Sequence, residues 1–236
     1  AAPIILLLCR LLQGLCVGGE YSGASIFVIE YSKQGREAFA GSILCASGVF
    51  GGVLGTFLGI LFTLPCMPSW GWRIPFLIGT GFGLIGFYIR TRISETPDFI
   101  KHRDEKISKI PLCDVLQKRK RNLVCTIGIG ATALIPLYLS SVYMGHLLSA
   151  DLHLPTSQIM LVNILFNIFL MLLLPLMGII ADKKKKKENL MIYSSLALLF
   201  LSYPLFFLMN MHLSISNIIF CQALLAIINA SFVAPS

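Results

Sequence analysis

Seven stretches of this chain are apolar over lengths that match a bilayer. They lie near residues 3–30, 39–64, 74–90, 122–148, 158–180, 190–210 and 213–235. A helix needs roughly 20 residues to cross about 30 Å of hydrocarbon. In that medium every backbone N–H and C=O must be satisfied within the protein, so only helices and closed barrels span it. Continuous apolar runs of this length predict helices. The fold class expected is therefore an all-α polytopic membrane protein. Composition agrees: 56% of the 236 residues are hydrophobic and 13% charged, with a mean hydropathy of +0.81. A soluble domain carries about 25% charged residues.

The charges predict an orientation. Of 19 Lys and Arg, two follow the first span (Lys33 and Arg36), ten lie from Arg90 to Arg121, and five form the run Lys183 to Lys187. Only Arg73 falls in a loop after an even-numbered span, and Arg10 lies inside the first span. Basic residues mark the cytoplasmic side, so the loops after spans one, three and five are expected there. The formal net charge of +8 then reflects topology and lipid contact, and no nucleic-acid partner is expected. The lysine run reads as a solvated basic face that anionic headgroups would attract. The same alternation puts the first residue outside. The opening "AAPII" has neither Met nor a basic signal region. We therefore expect an odd number of spans upstream, and a longer transporter-like chain cut at both ends.

Other chemistries find little support. The seven cysteines are scattered, with Cys9, Cys16, Cys45, Cys125 and Cys221 inside spans and no Cys-x-x-Cys spacing. They read as small apolar packers rather than a disulfide framework or a metal site. The four histidines show no ligand spacing either. "GFGLIG", with Gly81, Gly83 and Gly86, matches a dinucleotide fingerprint but lies inside an apolar span, without the strand that the fingerprint requires. No Walker loop, Gly-x-Ser-x-Gly elbow or His-Glu-x-x-His helix occurs. The chain is not expected to be an enzyme.

Residues 91–121 form the long polar segment, with five acids among its basic residues. It is either an ordinary loop or a joint between two helical bundles that move against each other. Span two is rich in glycine. Gly48 and Gly52, Gly51 and Gly55, and Gly55 and Gly59 make small-x-x-x-small pairs, a spacing that lets helices approach closely. Tight packing is expected there.

The first span, "RLLQGLCVGGEYSGASIFVIE", carries Arg10 and Glu20. Wound at about 100° per residue, Arg10, Gln13, Glu20 and Tyr21 share one face of roughly 100°, with the two charges about 15 Å apart along the axis. Ionised groups are expensive in hydrocarbon unless paired or wet. One reading makes them buried ion-pair partners that lock helices together. The other makes the face a polar stripe along a substrate path, with Glu20 available for a proton. Glu30 and Arg36, at the end of this span, are either a gate-like pair or simply solvated.

At this point the sequence resembles the major facilitator superfamily, and within it the metabolite:proton symporters that include proline/betaine, α-ketoglutarate, citrate and shikimate carriers. Arg10, Gln13, Gly14, Gly18, Gly19 and Glu20 match the group's fourth-helix pattern Arg-x-x-Gln-Gly-x-x-x-Gly-Gly-Glu. The following loop, with Glu30 and Arg36, is similar, as is "WGWRIPF" at the entry to the sixth helix. "RTRISETPDF", with Arg90, Arg92, Glu95, Thr96, Pro97 and Phe99, is similar to that helix's exit. "GIIADKKKKK" resembles the loop motif between the eighth and ninth helices, through Gly178, Asp182 and Lys183. Two departures stand out. Lys185 replaces a motif glycine and all the basic residues are lysine, which lacks arginine's planar fork. Gly145 stands where the seventh helix often has proline, with His146 beside it.

The resemblance implies the fourth to tenth helices of a twelve-helix fold made of two six-helix bundles. Residues 1–90 would end the first bundle with three spans, 91–121 would be the cytoplasmic linker, and 122–236 would hold four spans of the second bundle. It implies proton-coupled symport of a small polar metabolite by alternating access, a zwitterionic osmolyte first and an organic acid second. Arg10 would meet a substrate carboxylate or the coupling site, and Glu20 would carry or relay the proton. Gln13 and Tyr21 would line the cavity with Tyr138, Tyr143, Asn163 and Asn167, which satisfied interhelical hydrogen bonds would explain as well. No cofactor beyond the coupling proton is expected. The expected partners are the lipid bilayer and a small-molecule substrate, with the complete protein a monomer. The rival expectation is a non-transporting remnant or a structural membrane protein, with a membrane-embedded enzyme a distant third.

Overall fold

The computed structural model describes residues 2–62, 64, 66–92, 116, 119–145, 149, 156–184, 187–211 and 215–235. Seven long helices follow one another: α1 (Ala2–Glu30), α2 (Glu37–Phe62), α3 (Ile74–Arg92), α4 (Lys120–Tyr138), α5 (Thr156–Lys183), α6 (Lys187–Met211) and α7 (Ile215–Val233). Each expected span has its helix, all seven are long and apolar enough to cross a membrane, and no strand occurs among the described residues. The protein is an all-α, multi-span membrane protein.

Boundaries follow local chemistry. Gly35 turns the chain between α1 and α2 at φ +84°, a conformation L side chains seldom adopt. Glu37 then opens α2 with a negative charge in its first turn, where the helix dipole favours it. Arg90 and Arg92 close α3, and Lys183 closes α5, at the opposite pole of the dipole.

Span four departs from a simple helix. Pro136 lies inside α4, and the next residues, Leu139–Tyr143, form a π-turn. Proline at 136 withholds the donor that the Thr132 carbonyl would otherwise use, and two carbonyls of the π-turn after it are met by side chains of neighbouring helices. Asn163 of α5 donates to the Ser141 carbonyl at 2.8 Å, and Gln222 of α7 donates to that of Ser140 at 3.2 Å. His146 lies outside the described residues, as do Glu95, Lys185 and most of the 91–121 segment.

Two buried clusters hold the helices. Met144, Val162, Leu205, Met209, Ile218, Cys221 and Leu225 join the end of span four to α5, α6 and α7. Ala46, Phe166, Leu170, Leu174, Ala226 and Ala230 join α2, α5 and α7. α1 packs chiefly on α2 and carries an exposed apolar surface. Lipid tails are as apolar as leucine, so such a surface carries little penalty in a bilayer.

The expectation for the glycines of span two is corrected. A methyl group added at Gly48, Gly51, Gly52, Gly55 or Gly59 would meet nothing within 4 Å among the described residues. The α2 residues buried against neighbours are Ala38, Ser42 and Ala46, a small stripe at four-residue spacing. Small-residue spacing permits a close approach but does not choose which face receives a partner. α5 occupies the alanine–serine stripe.

Candidate functional site

Two helices approach closely where the start of α2 meets the end of α5. A side-chain carbon at Gly178 would collide with the Ser42 hydroxyl and sit 2.9 Å from both the Ala38 carbonyl and the Phe39 Cα. Ser42 is fully buried, and its hydroxyl is tied to the Phe39 carbonyl at 2.7 Å. Glycine at 178 is therefore a packing requirement of this contact.

Asp182 lies four residues further along α5, on the same face as Gly178. Its Oδ1 accepts a hydrogen bond from the Ala38 N–H at 3.1 Å, and its Oδ2 accepts one from the Phe39 N–H at 2.9 Å. The first N–H groups of a helix lack intrahelical acceptors and carry the positive end of the dipole. A carboxylate from a distant helix thus caps α2. The Asp182 side chain is only 8% exposed, so the charge needs this compensation. Lys187, at the start of α6, completes it: its Nζ lies 3.0 Å from Asp182 Oδ1 and 2.7 Å from Glu37 Oε2. Glu37 Oε1 in turn accepts from the Gly35 N–H at 2.8 Å. The arrangement places the loops after spans one and five at the same end of the protein.

Beside the contact opens a cavity of about 370 Å³, lined by Gly35, Arg36, Phe39, Ile179, Asp182 and Lys183. Of the residues singled out in the sequence, Gly178 and Asp182 belong to the contact, while Arg36 and Lys183 border it. Glu30 is exposed. Arg90 and Arg92 end α3, with the Arg92 guanidinium 5.5 Å from the Tyr88 ring centroid. Sequence reasoning missed Glu37, Lys187 and Ser42. A signal existed for the first: an acid opening a helix. Nothing set Lys187 apart from the four lysines before it.

The residues expected along a substrate path are spread over three helices. On α1, Arg10 Nη1 donates to Gln13 Oε1 at 3.0 Å, a bond that their three-residue spacing foreshadows. Glu20 is exposed, as are Gly14, Gly18 and Gly19, where an added methyl group would meet nothing within 4 Å. The Tyr21 hydroxyl meets Cys45 Sγ of α2 at 3.1 Å. Tyr138 and Tyr143 are exposed on span four. Asn167 donates to the Asn163 carbonyl within α5 at 2.8 Å, and Asn163 serves the π-turn. No hydrogen bond or ion pair joins α1 to span four or α5 among the described residues. Arg10 and Glu20 are both exposed, and neither forms an ion pair among the described residues. Gln222 and Asn229 of α7, both buried, were not singled out. Asn229 donates to the Ala133 carbonyl at 3.2 Å, and its own carbonyl oxygen has no partner among the described residues.

The profile of the Major Facilitator Superfamily matches residues 1–236. The chain is 36% identical over 223 residues to a proline/betaine transporter of Salmonella typhimurium, covering 89% of this chain and 44% of that protein. It is 34% identical over 224 residues to the glycine betaine/proline/ectoine/pipecolic acid transporter of Dickeya dadantii, with the same coverage. It is 28% identical over 205 residues to the alpha-ketoglutarate permease of Escherichia coli, covering 84% of this chain and 46% of that protein. The chain spans about half the length of the curated relatives it matches. No solved structure shows a significant match. A match over the whole chain, with transporters rather than enzymes among its relatives, shows that the chain belongs to the major facilitator superfamily.

Proposed function

We propose that this chain is part of a secondary active transporter of a bacterial inner membrane. It carries a small polar metabolite together with a proton, by alternating access. One observation carries the structural side of the reading: the carboxylate of Asp182 caps α2 across the α2–α5 contact. Residues 1–90 and 122–236 would belong to different bundles, with 91–121 linking them. The cap is then a latch that closes one side of the transporter and must break when that side opens. Because the loops nearest the latch carry Lys33, Arg36 and Lys183 to Lys187, the closed side is the cytoplasmic one. A latch built on backbone N–H groups needs no arginine fork, which answers the all-lysine loop.

The relatives named as proline/betaine transporters favour a zwitterionic osmolyte as substrate, and the permease relative keeps organic acids second. Arg10 would engage the substrate carboxylate and Glu20 the proton, with Gln13, Tyr21, Tyr138, Tyr143, Asn163 and Asn167 contributing to the path. The working unit is a monomer in the bilayer. The test is uptake in proteoliposomes under an inward proton gradient, with betaine, proline, α-ketoglutarate and citrate, each with and without a protonophore. Accumulation that collapses with the protonophore supports symport. Uptake indifferent to it removes the proton, and no uptake of any compound by folded protein favours a non-transporting remnant.

A further inference from the structure

The cavity beside the latch has a charge and polarity pattern that the latch does not use. Asp182 is its one acidic lining residue among the described residues, and that carboxylate is already engaged by two backbone N–H groups and Lys187. The lining charges left without an engaged partner are the two cations, Arg36 and Lys183. Both are exposed, and neither forms an ion pair among the described residues. The two come from different elements, one just before α2 and the other at the last turn of α5.

Each wall repeats the same order. Phe39 lies three residues beyond Arg36, and Ile179 four before Lys183. At those spacings the apolar residue lies one helical turn deeper towards the membrane than its cation. Cations at the rim with apolar groups beneath them match an amphiphile that has an anionic head and an acyl chain. A free phosphate would satisfy the two cations and leave the apolar walls unmatched. Basic pockets between membrane helices suit anionic headgroups.

We propose that this cleft binds an anionic phospholipid, with its phosphate between Arg36 and Lys183 and an acyl chain along Phe39 and Ile179. A phosphate held by both cations ties the start of α2 to the end of α5, so the bound lipid favours the closed contact. Occupancy itself does not depend on transport and is measured apart from it.

The test is native mass spectrometry of the purified protein, titrated with phosphatidylglycerol or phosphatidylcholine. Two double variants each remove two positive charges: Arg36→Gln with Lys183→Gln inside the cavity, and Lys33→Gln with Lys184→Gln outside it. Two near-surface charges account for a large part of headgroup affinity. We expect phosphatidylglycerol to bind about tenfold more weakly to the first variant and less than twofold more weakly to the second. Equal losses in both would reduce the effect to general surface charge and overturn the site. Phosphatidylcholine binding as tightly, or inorganic phosphate displacing the lipid at millimolar levels, would also overturn it. A photoactivatable phosphatidylglycerol on the unsubstituted protein gives a reading independent of any variant. Adducts within 35–39 or 179–183 support the site, and adducts only elsewhere refute it.

Discussion

Replacing Asp182 with Asn tests the latch most directly. The carboxylate now accepts from Ala38 and Phe39 and faces the Lys187 ammonium. The carboxamide keeps one acceptor oxygen, so one of the two N–H groups must confront an NH2 group that cannot accept. A hydrogen bond to a charged group contributes about 1.5–3 kcal/mol and a neutral one about 1. Losing one charge-assisted bond and weakening the other therefore removes roughly 2–4 kcal/mol from the closed contact. At 1.4 kcal/mol per factor of ten, that is about a 30- to 1,000-fold rise in the open fraction. Hydrogen exchange followed by mass spectrometry reads this at the amides that bond Asp182. We expect a peptide covering the start of α2 to exchange faster by that factor, while one from the middle of α7 stays unchanged. Equal protection of the α2 start in both proteins would refute the idea that this carboxylate holds the contact.

Gly178→Ala should loosen the same contact by about 1–3 kcal/mol, the usual penalty for overpacking. Adding Ser42→Ala should recover only part of it, because the Ala38 carbonyl and Phe39 Cα remain in the way; full recovery, by the same exchange assay, would remove the backbone from the argument. Lys187→Gln should have a smaller effect than Asp182→Asn, since the ammonium is itself part-exposed and Asp182 keeps both backbone N–H groups. That effect should shrink in high salt, and a loss as large as that of Asp182→Asn would make Lys187 the principal element. Asn163→Ala leaves the Ser141 carbonyl without its donor and should destabilise by about 0.6–2 kcal/mol, read as a lower thermal midpoint in detergent; an unchanged midpoint would mean the π-turn does not need the bond. Glu20→Gln should abolish accumulation driven by a pH gradient while leaving exchange of substrate down its own gradient, and unchanged driven accumulation would clear Glu20 of the proton role.

Some of this protein is legible along one dimension. The lengths of the apolar runs determine where the seven membrane-length helices among the described residues fall, because a bilayer offers the backbone no other partner. Basic residues predict which loops share a side, and the structure brings two of those loops together at Asp182. The motif that contains Gly178 and Asp182 marked both residues. Their partners were not legible. The 3.6-residue period tells which residues share a face, but every face of α2 is apolar enough to be buried or to meet lipid. So the glycine pairs of α2 attracted attention while its Ala38, Ser42 and Ala46 stripe received the neighbour. Lys187 was one lysine among five until the fold set it beside Asp182 and Glu37. The acceptor for two orphan N–H groups lies more than 140 residues further along the chain, and only tertiary packing decides a pairing between helix ends that far apart.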